Sequence, residues 1–139
     1  MMAIRVGTRA TREFVVDDAA MCRFQALSGD TSLIHCDAAH AKAHGYDGVI
    51  VYGGIMLAHL SHLLGMEIPG PSGISMAWSI KFHGPLYVGE AAQIVLEVVH
   101  VSAANGVVDG RFSIMAGAKK VATGTTQSIV PRAPIESDP

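Results

Sequence analysis

The chain has 139 residues, half of them hydrophobic and 16% charged, with a formal charge of −2 when histidine is neutral. That length holds one domain, and so apolar a composition calls for a large core or a buried subunit interface. Lysine and arginine are scattered without a basic stripe, which argues against a nucleic-acid partner.

Cys22 and Cys36 are the only cysteines, and no CxxC pair or disulfide framework is implied. No segment near Met1–Arg12 reads as a signal peptide, and every apolar run is broken by Gly, His or Ser. No membrane span is expected, and the cytoplasm is the expected compartment.

In chain order, Arg9 to Val16 alternates loosely and predicts a first strand. Asp17-Asp18 offers an N-cap and an early acid for a helix whose apolar face is Ala20, Phe24 and Leu27, with Met21 beside them, ending near Gly29. Thr31 to Asp37 reads as a turn. Asp37 then caps a short Ala-rich helix, Ala38 to His44, stopped by Gly45. Gly53 to Gly65 is apolar on nearly every side, so this helix belongs in the middle of the molecule.

Beyond Pro69-Gly70-Pro71 the period changes to two. Ile74, Met76, Trp78, Ile80 and Phe82 predict one face of a strand, ended by Gly84-Pro85. Gln93 to Val101 is a second long strand. Asn105-Gly106 predicts a type I′ hairpin to Val107–Met115. A turn at Gly117 to Lys120 leads to a last strand, Val121 to Val130. The Pro-rich, acidic tail from Pro131 is expected to be flexible. The order of elements predicts a single α+β domain over residues 1–139, with an antiparallel sheet wrapped around one buried helix. Runs such as Ile94-Val95-Leu96 call for cover on both faces, which a second subunit would supply.

Two features carry chemistry. Asp30 and His35 stand five residues apart in a polar turn and could share one water. Gly53-Gly54 opens the apolar helix, whose first N–H groups are unpaired donors able to hold a developing oxyanion. On residue type alone, Asp30 could equally end the first helix by a local bond, and His35 could be a core histidine. His40/His44 and His59/His62 have metal-ligand spacing, but no HExxH accompanies them and a metal site is not expected. Cys36 reads as an inert buried thiol, and Met56, Met66, Met76 and Met115 as core filler or an adaptable acyl pocket.

The blocks Phe24-x-x-x-Ser28-Gly29-Asp30, His35-x-Asp37, Gly53, Leu63-Leu64-Gly65-x-x-x-Pro69-Gly70 and Lys81-Phe82-x-x-Pro85-Leu86-Tyr87-Val88-Gly89-Glu90 occur in this order. In them the chain resembles the MaoC-like dehydratases, which include the (R)-specific enoyl-CoA hydratases. The resemblance spans about Val15 to Val130. It implies a hot-dog fold that dimerises through its sheet, or forms an assembly of dimers. It also implies a cytoplasmic hydro-lyase of fatty acid metabolism. The substrate would be a 2-enoyl thioester, of coenzyme A or of acyl carrier protein, with no cofactor beyond the coenzyme A of the substrate itself.

In this resemblance Asp30 and His35 are the catalytic pair and Gly53 is the oxyanion donor, with Gly54 next to it. Ser61 falls where the hydratases often have a serine near the pair. The alternatives weighed beside it are an acyl-CoA thioesterase and a non-catalytic acyl-thioester binder. The hydratases read Gly-Asp-x-Asn-Pro-x-His, whereas this chain has Ser32-Leu33 in place of Asn-Pro, which is expected to loosen the turn. Tyr52 stands where the family commonly has histidine, and a phenol is expected beside the site.

Overall fold

The computed structural model of the chain describes residues 4–131. The acidic tail read as flexible therefore lies, from residue 132 on, outside the described residues. The elements run β1 (Arg9–Val15), α1 (Asp18–Ser28), α2 (Leu33–Cys36), α3 (Ala38–Ala43) and α4 (Gly53–Met66), then β2 (Ile74–Phe82), β3 (Ala91–Ser102), β4 (Val107–Ala116) and β5 (Lys119–Ile129). The five strands form one antiparallel sheet in the order β1-β3-β4-β5-β2. No helix among the described residues is long and apolar enough to cross a membrane.

Local chemistry sets the helix ends. The Asp17 carboxylate accepts from the Ala20 N–H at 2.8 Å, and the Gly29 N–H closes α1 on the Gln25 carbonyl from a left-handed conformation. Asp37 caps α3 by accepting from the His40 N–H at 3.0 Å. One difference from the sequence reading lies between them. Leu33–Cys36 forms a single helical turn rather than an irregular one, because the Asp37 N–H reaches back to the Leu33 carbonyl.

The core lies between α4 and the sheet. Ile55, Met56, Leu60, Leu63 and Leu64 of α4 are buried against Phe14 and Ala10 of β1, Ile94, Leu96 and Val98 of β3, and Phe112 and Ile114 of β4. Each of the larger side chains contributes about 1.5–3 kcal/mol by leaving water. The seam between α4 and β1 also carries a polar link. His59 stacks on Phe14 with 4.0 Å between ring centres, and its Nδ1 accepts from Arg12 Nε at 3.2 Å. Burial first, then the Arg12 and His62 charges, lower the pKa of His59 and favour its neutral form.

Three hairpin and strand details differ from the sequence reading. The β3–β4 connection is a four-residue loop, Ala103 to Gly106, closed by the Gly106 N–H on the Ser102 carbonyl at 2.9 Å. Only Gly106 has positive φ there, so the loop is not the type I′ turn that Asn105-Gly106 suggested. The β4–β5 turn is shorter than expected, since Ala116 pairs with Lys119. In β2 a register shift between Ser75 and Ala77 interrupts the simple alternation. Trp78, Ile80 and Phe82 then stand opposite Thr126, Gly124 and Ala122 on the α4 side of the sheet.

β2 is an edge strand only partly covered in the single chain: Ile80 packs on the core, but Met76 is 56% exposed, Trp78 40% and Phe82 52%. Met66 is likewise exposed, so neither Met66 nor Met76 is the core filler expected, whereas Met56 is. β3 is less two-sided than its sequence suggested. Ile94, Leu96 and Val98 point into the core, and Val99 is displaced outward at a bulge opposite Asp109.

Candidate active site

The Asp30 turn is built by hydroxyl groups. Ser28 Oγ donates to the Phe24 carbonyl at 2.7 Å and accepts the Asp30 N–H at 3.1 Å. Asp30 Oδ1 in turn accepts both the Ser32 N–H, at 2.9 Å, and the Ser32 hydroxyl, at 2.6 Å. The Ser32 carbonyl then accepts the His35 N–H at 3.0 Å. Ser32 therefore fixes the segment that loss of Asn-Pro was expected to loosen. The Ser32 hydroxyl and then its N–H hold the Asp30 carboxyl below the ordinary carboxylate range, and the His35 charge adds to this against the opposing effect of burial. Asp30 is therefore an anion at neutral pH, and its Oδ2 has no protein partner among the described residues.

His35 is anchored from a remote segment. Its Nδ1 lies 2.6 Å from the Ile50 carbonyl, which can only accept, so Nδ1 carries the proton and Nε2 the free lone pair. Ile50 is itself held, its N–H on the Ile34 carbonyl and its backbone in a bridge to Tyr87, while the Val51 N–H reaches the Leu86 carbonyl at 2.8 Å.

Tyr52 is where the sequence placed it, beside the pair, and is buried. Its hydroxyl donates to the Asp30 carbonyl at 2.6 Å, and its ring lies 4.3 Å from the His35 ring and 4.7 Å from that of Phe24. The hydrogen bond with Cys36, then burial and the Cys36 charge, push the phenol up to about 12. At neutral pH it serves as a strut and not as a proton carrier. Cys36 is exposed, contrary to the buried thiol expected.

α4 begins directly after Tyr52. Among the described residues the Gly53 and Gly54 N–H groups meet no acceptor, the first bonded one being Ile55 on the Tyr52 carbonyl. Gly53 and His35 line the same cavity, of about 580 Å³, together with Tyr46, Met56, Phe82 and His83. The His35 side chain, the start of α4 at Gly53 and an apolar wall thus meet at one opening. Ser61 is not brought there. It is exposed on the third turn of α4, about 12 Å along the axis from Gly53. It makes no hydrogen bond to Asp30 or His35. Among the described residues no three His, Cys, Asp or Glu side chains group as metal ligands.

Two contributors were not identified from sequence. Ile50 acts through its main chain, which leaves no mark in residue type. Ser32 did leave a signal, since a hydroxyl two residues after an Asp is the pattern of a local Asx turn.

The sequence profile described as MaoC-like domain matches residues 4–120. The chain belongs to the MaoC-like dehydratase family. It is 31% identical over 96 residues to the (R)-specific enoyl-CoA hydratase of Aeromonas caviae, covering 69% of this chain and 72% of that protein. It is 25% identical over 128 residues to the (R)-specific enoyl-CoA hydratase of Rhodospirillum rubrum, covering 92% and 89%. The solved structure of the A. caviae (R)-hydratase superposes with a TM-score of 0.87 at 26% identity, covering 94% of this chain and all (100%) of that one. The unliganded R-hydratase from Pseudomonas aeruginosa gives 0.84 at 23%, covering 98% and 90%. The fold is the hot-dog fold of these hydratases: an antiparallel sheet around a central helix.

Two predictions follow from the packing and charge of the site. Ser32→Ala removes the hydroxyl that most lowers Asp30, so the Asp30 carboxyl, followed by carbon NMR, should titrate at higher pH, nearer the ordinary carboxylate range. An unmoved titration would show that Ser32 does not set it. The second concerns the helix start. A Cβ on Gly54 would clash with the ring of Phe24, which packs on Tyr52, whereas a Cβ on Gly53 would meet only the far edge of the exposed Phe82 ring. Gly54→Ala should therefore lower stability by about 1–3 kcal/mol and Gly53→Ala by less than about 1 kcal/mol. Urea unfolding of the two variants measures both, and equal losses would contradict this ordering.

Proposed function

We propose that this hydro-lyase-type enzyme adds water to a 2-enoyl thioester, of coenzyme A in the first instance, to give the 3-hydroxyacyl thioester. The observation that carries the reading is the shared cavity of His35 and Gly53, with the anionic Asp30 held next to it. The relatives named as enoyl-CoA hydratases support the substrate class.

The geometry suggests a division of labour. Water lies between Asp30 and His35, and the free Asp30 oxygen accepts a hydrogen bond from the O–H that stays on the product hydroxyl. His35 Nε2 takes the other proton as the water oxygen bonds to C3. The C2=C3 electrons move onto the thioester, and the Gly53 or Gly54 N–H stabilises the enolate oxygen. The imidazolium then returns its proton to C2. Proton and charge balance without a cofactor beyond the coenzyme A of the substrate. Acyl carrier protein is the other carrier compatible with such a thioester. A thioesterase of this fold would want an acid on the central helix, and Gly53–Met66 contains none.

We further propose that the enzyme works as a homodimer or an assembly of dimers. Support comes from β2, an edge strand with one side unpaired, which leaves Ile74, Met76, Trp78 and Phe82 exposed together. Sedimentation velocity at micromolar concentration should show no folded monomer, and a stable monomer would contradict the assembly.

Crotonyl-CoA hydration tests the activity, with thiol release followed in the same sample. Asp30→Ala and His35→Ala should each lower kcat by about 10²–10⁴-fold. The double variant should be little worse, because groups acting as a unit are not additive. Near-normal turnover by either single variant would remove the mechanism. Thiol release in place of hydration would show a thioesterase.

A further inference from the structure

The side chains behind the catalytic turn form a continuous chain of hydrogen bonds that the hydration mechanism does not use. Tyr52 has one hydroxyl proton. The Asp30 carbonyl, 2.6 Å away, can only accept, so that proton is committed to it. Cys36 Sγ lies 3.4 Å from the same phenolic oxygen, and Gln25 Nε2 lies 3.3 Å from the sulfur. With the phenol proton spent on Asp30, the neutral thiol must be the donor to Tyr52, and the Gln25 amide the donor to sulfur. The order is Gln25 to Cys36 to Tyr52 to the main chain of Asp30. The phenol is buried, so no water replaces a lost partner freely.

We propose that Tyr52 and Cys36 are positioning residues for the Asp30–His35 pair: the phenol holds the Asp30 main chain while its ring backs His35, and the thiol, steadied by Gln25, orients the phenol. The proposal rests on the hydration reading for its kinetic consequence, though not for its structural one. It explains how the chain manages with tyrosine before the helix glycine. The hydroxyl reaches the carbonyl of the turn, while Ser32 reaches its carboxylate, so the turn is gripped at both ends. The thiol acts only through the phenol, so its removal should matter less than that of the phenol hydroxyl and should not add to it.

The test compares Tyr52→Phe, Cys36→Ala, Cys36→Ser and the Tyr52→Phe/Cys36→Ala double variant, each with a thermal melt. In crotonyl-CoA hydration Tyr52→Phe should lower kcat by about tenfold or more, with KM within about twofold, for the loss of one buried hydrogen bond. Cys36→Ala should lower kcat by a smaller factor, Cys36→Ser should restore it because serine keeps a donor, and the double variant should match Tyr52→Phe alone. The second readout needs no turnover. The nitrogen of Thr31 shares a peptide unit with the Asp30 carbonyl, so its amide resonance should move in Tyr52→Phe, move less in Cys36→Ala and stay put in Cys36→Ser. An unmoved Thr31 resonance in folded Tyr52→Phe overturns the relay, as do additive kinetic losses in the double variant. Movement of Thr31 in a protein that fails to hydrate the thioester sustains the relay and overturns the hydratase reading instead.

Discussion

The hydrogen bond from His35 Nδ1 to the Ile50 carbonyl, at 2.6 Å, is the contact on which the site depends. It selects the imidazole tautomer and sets the ring plane. It also ties a turn from the first third of the chain to the residues that enter α4. From Ile50 to Gly53 nearly every backbone and side-chain group is committed to a different partner: Ile34, His35, Leu86, Asp30 and the cavity. A short extended segment thus draws together the His35 ring, the Asp30 turn and the unpaired N–H groups at the start of α4, which are remote in sequence. The sheet contributes rigidity from behind. α4 is pinned on the buried faces of β1, β3 and β4, so its first turn cannot drift relative to the turn that carries Asp30.

Much of this was legible in the sequence because it rests on period and on caps. Asp17, Gly29, Asp37 and Gly45 mark helix ends by side-chain chemistry that needs no tertiary information, and those boundaries agree with the structure to within a residue or two. The all-round apolar helix indicated a core position, and the core is where its inner face lies. What could not be read was set by long-range geometry. The β2 bulge near Met76 answers to pairing with β5, not to anything local. The β3–β4 loop closes with four residues because the register of two ten-residue-scale strands decides where they stop, and Asn105-Gly106 only supplies the final left-handed residue. The resemblance put Ser61 near the pair, and the helix rise sets it about 12 Å along α4 from Gly53.

The Asp-x-Ser sequence shows how a departure from a family pattern can preserve the geometry. Proline restricts a turn through its ring, and asparagine through its amide. Serine here does it with one hydroxyl and one N–H, both on Asp30 Oδ1. The electrostatic consequence differs from mere rigidity. Two donors on one carboxylate oxygen stabilise the anion, so the substitution that keeps the shape also lowers the basicity of Asp30.

That lowering separates the roles of the two groups. An anion stabilised by Ser32 is a poor acceptor for a full proton transfer, but its second oxygen still accepts a hydrogen bond from water without ionisation changing anywhere. His35 is held differently. Its Nδ1 proton is bound by the neutral Ile50 carbonyl, which leaves Nε2 with its lone pair. In the proposed hydration that nitrogen would take a proton and give it back. Tyr52 lies between the two functions, packing its ring on the imidazole and its hydroxyl on the peptide of the anion. A phenol pushed up to about 12 exchanges no proton at neutral pH. Its hydroxyl bond to the Asp30 carbonyl and its ring contact with His35 tie the two ends of the five-residue turn together.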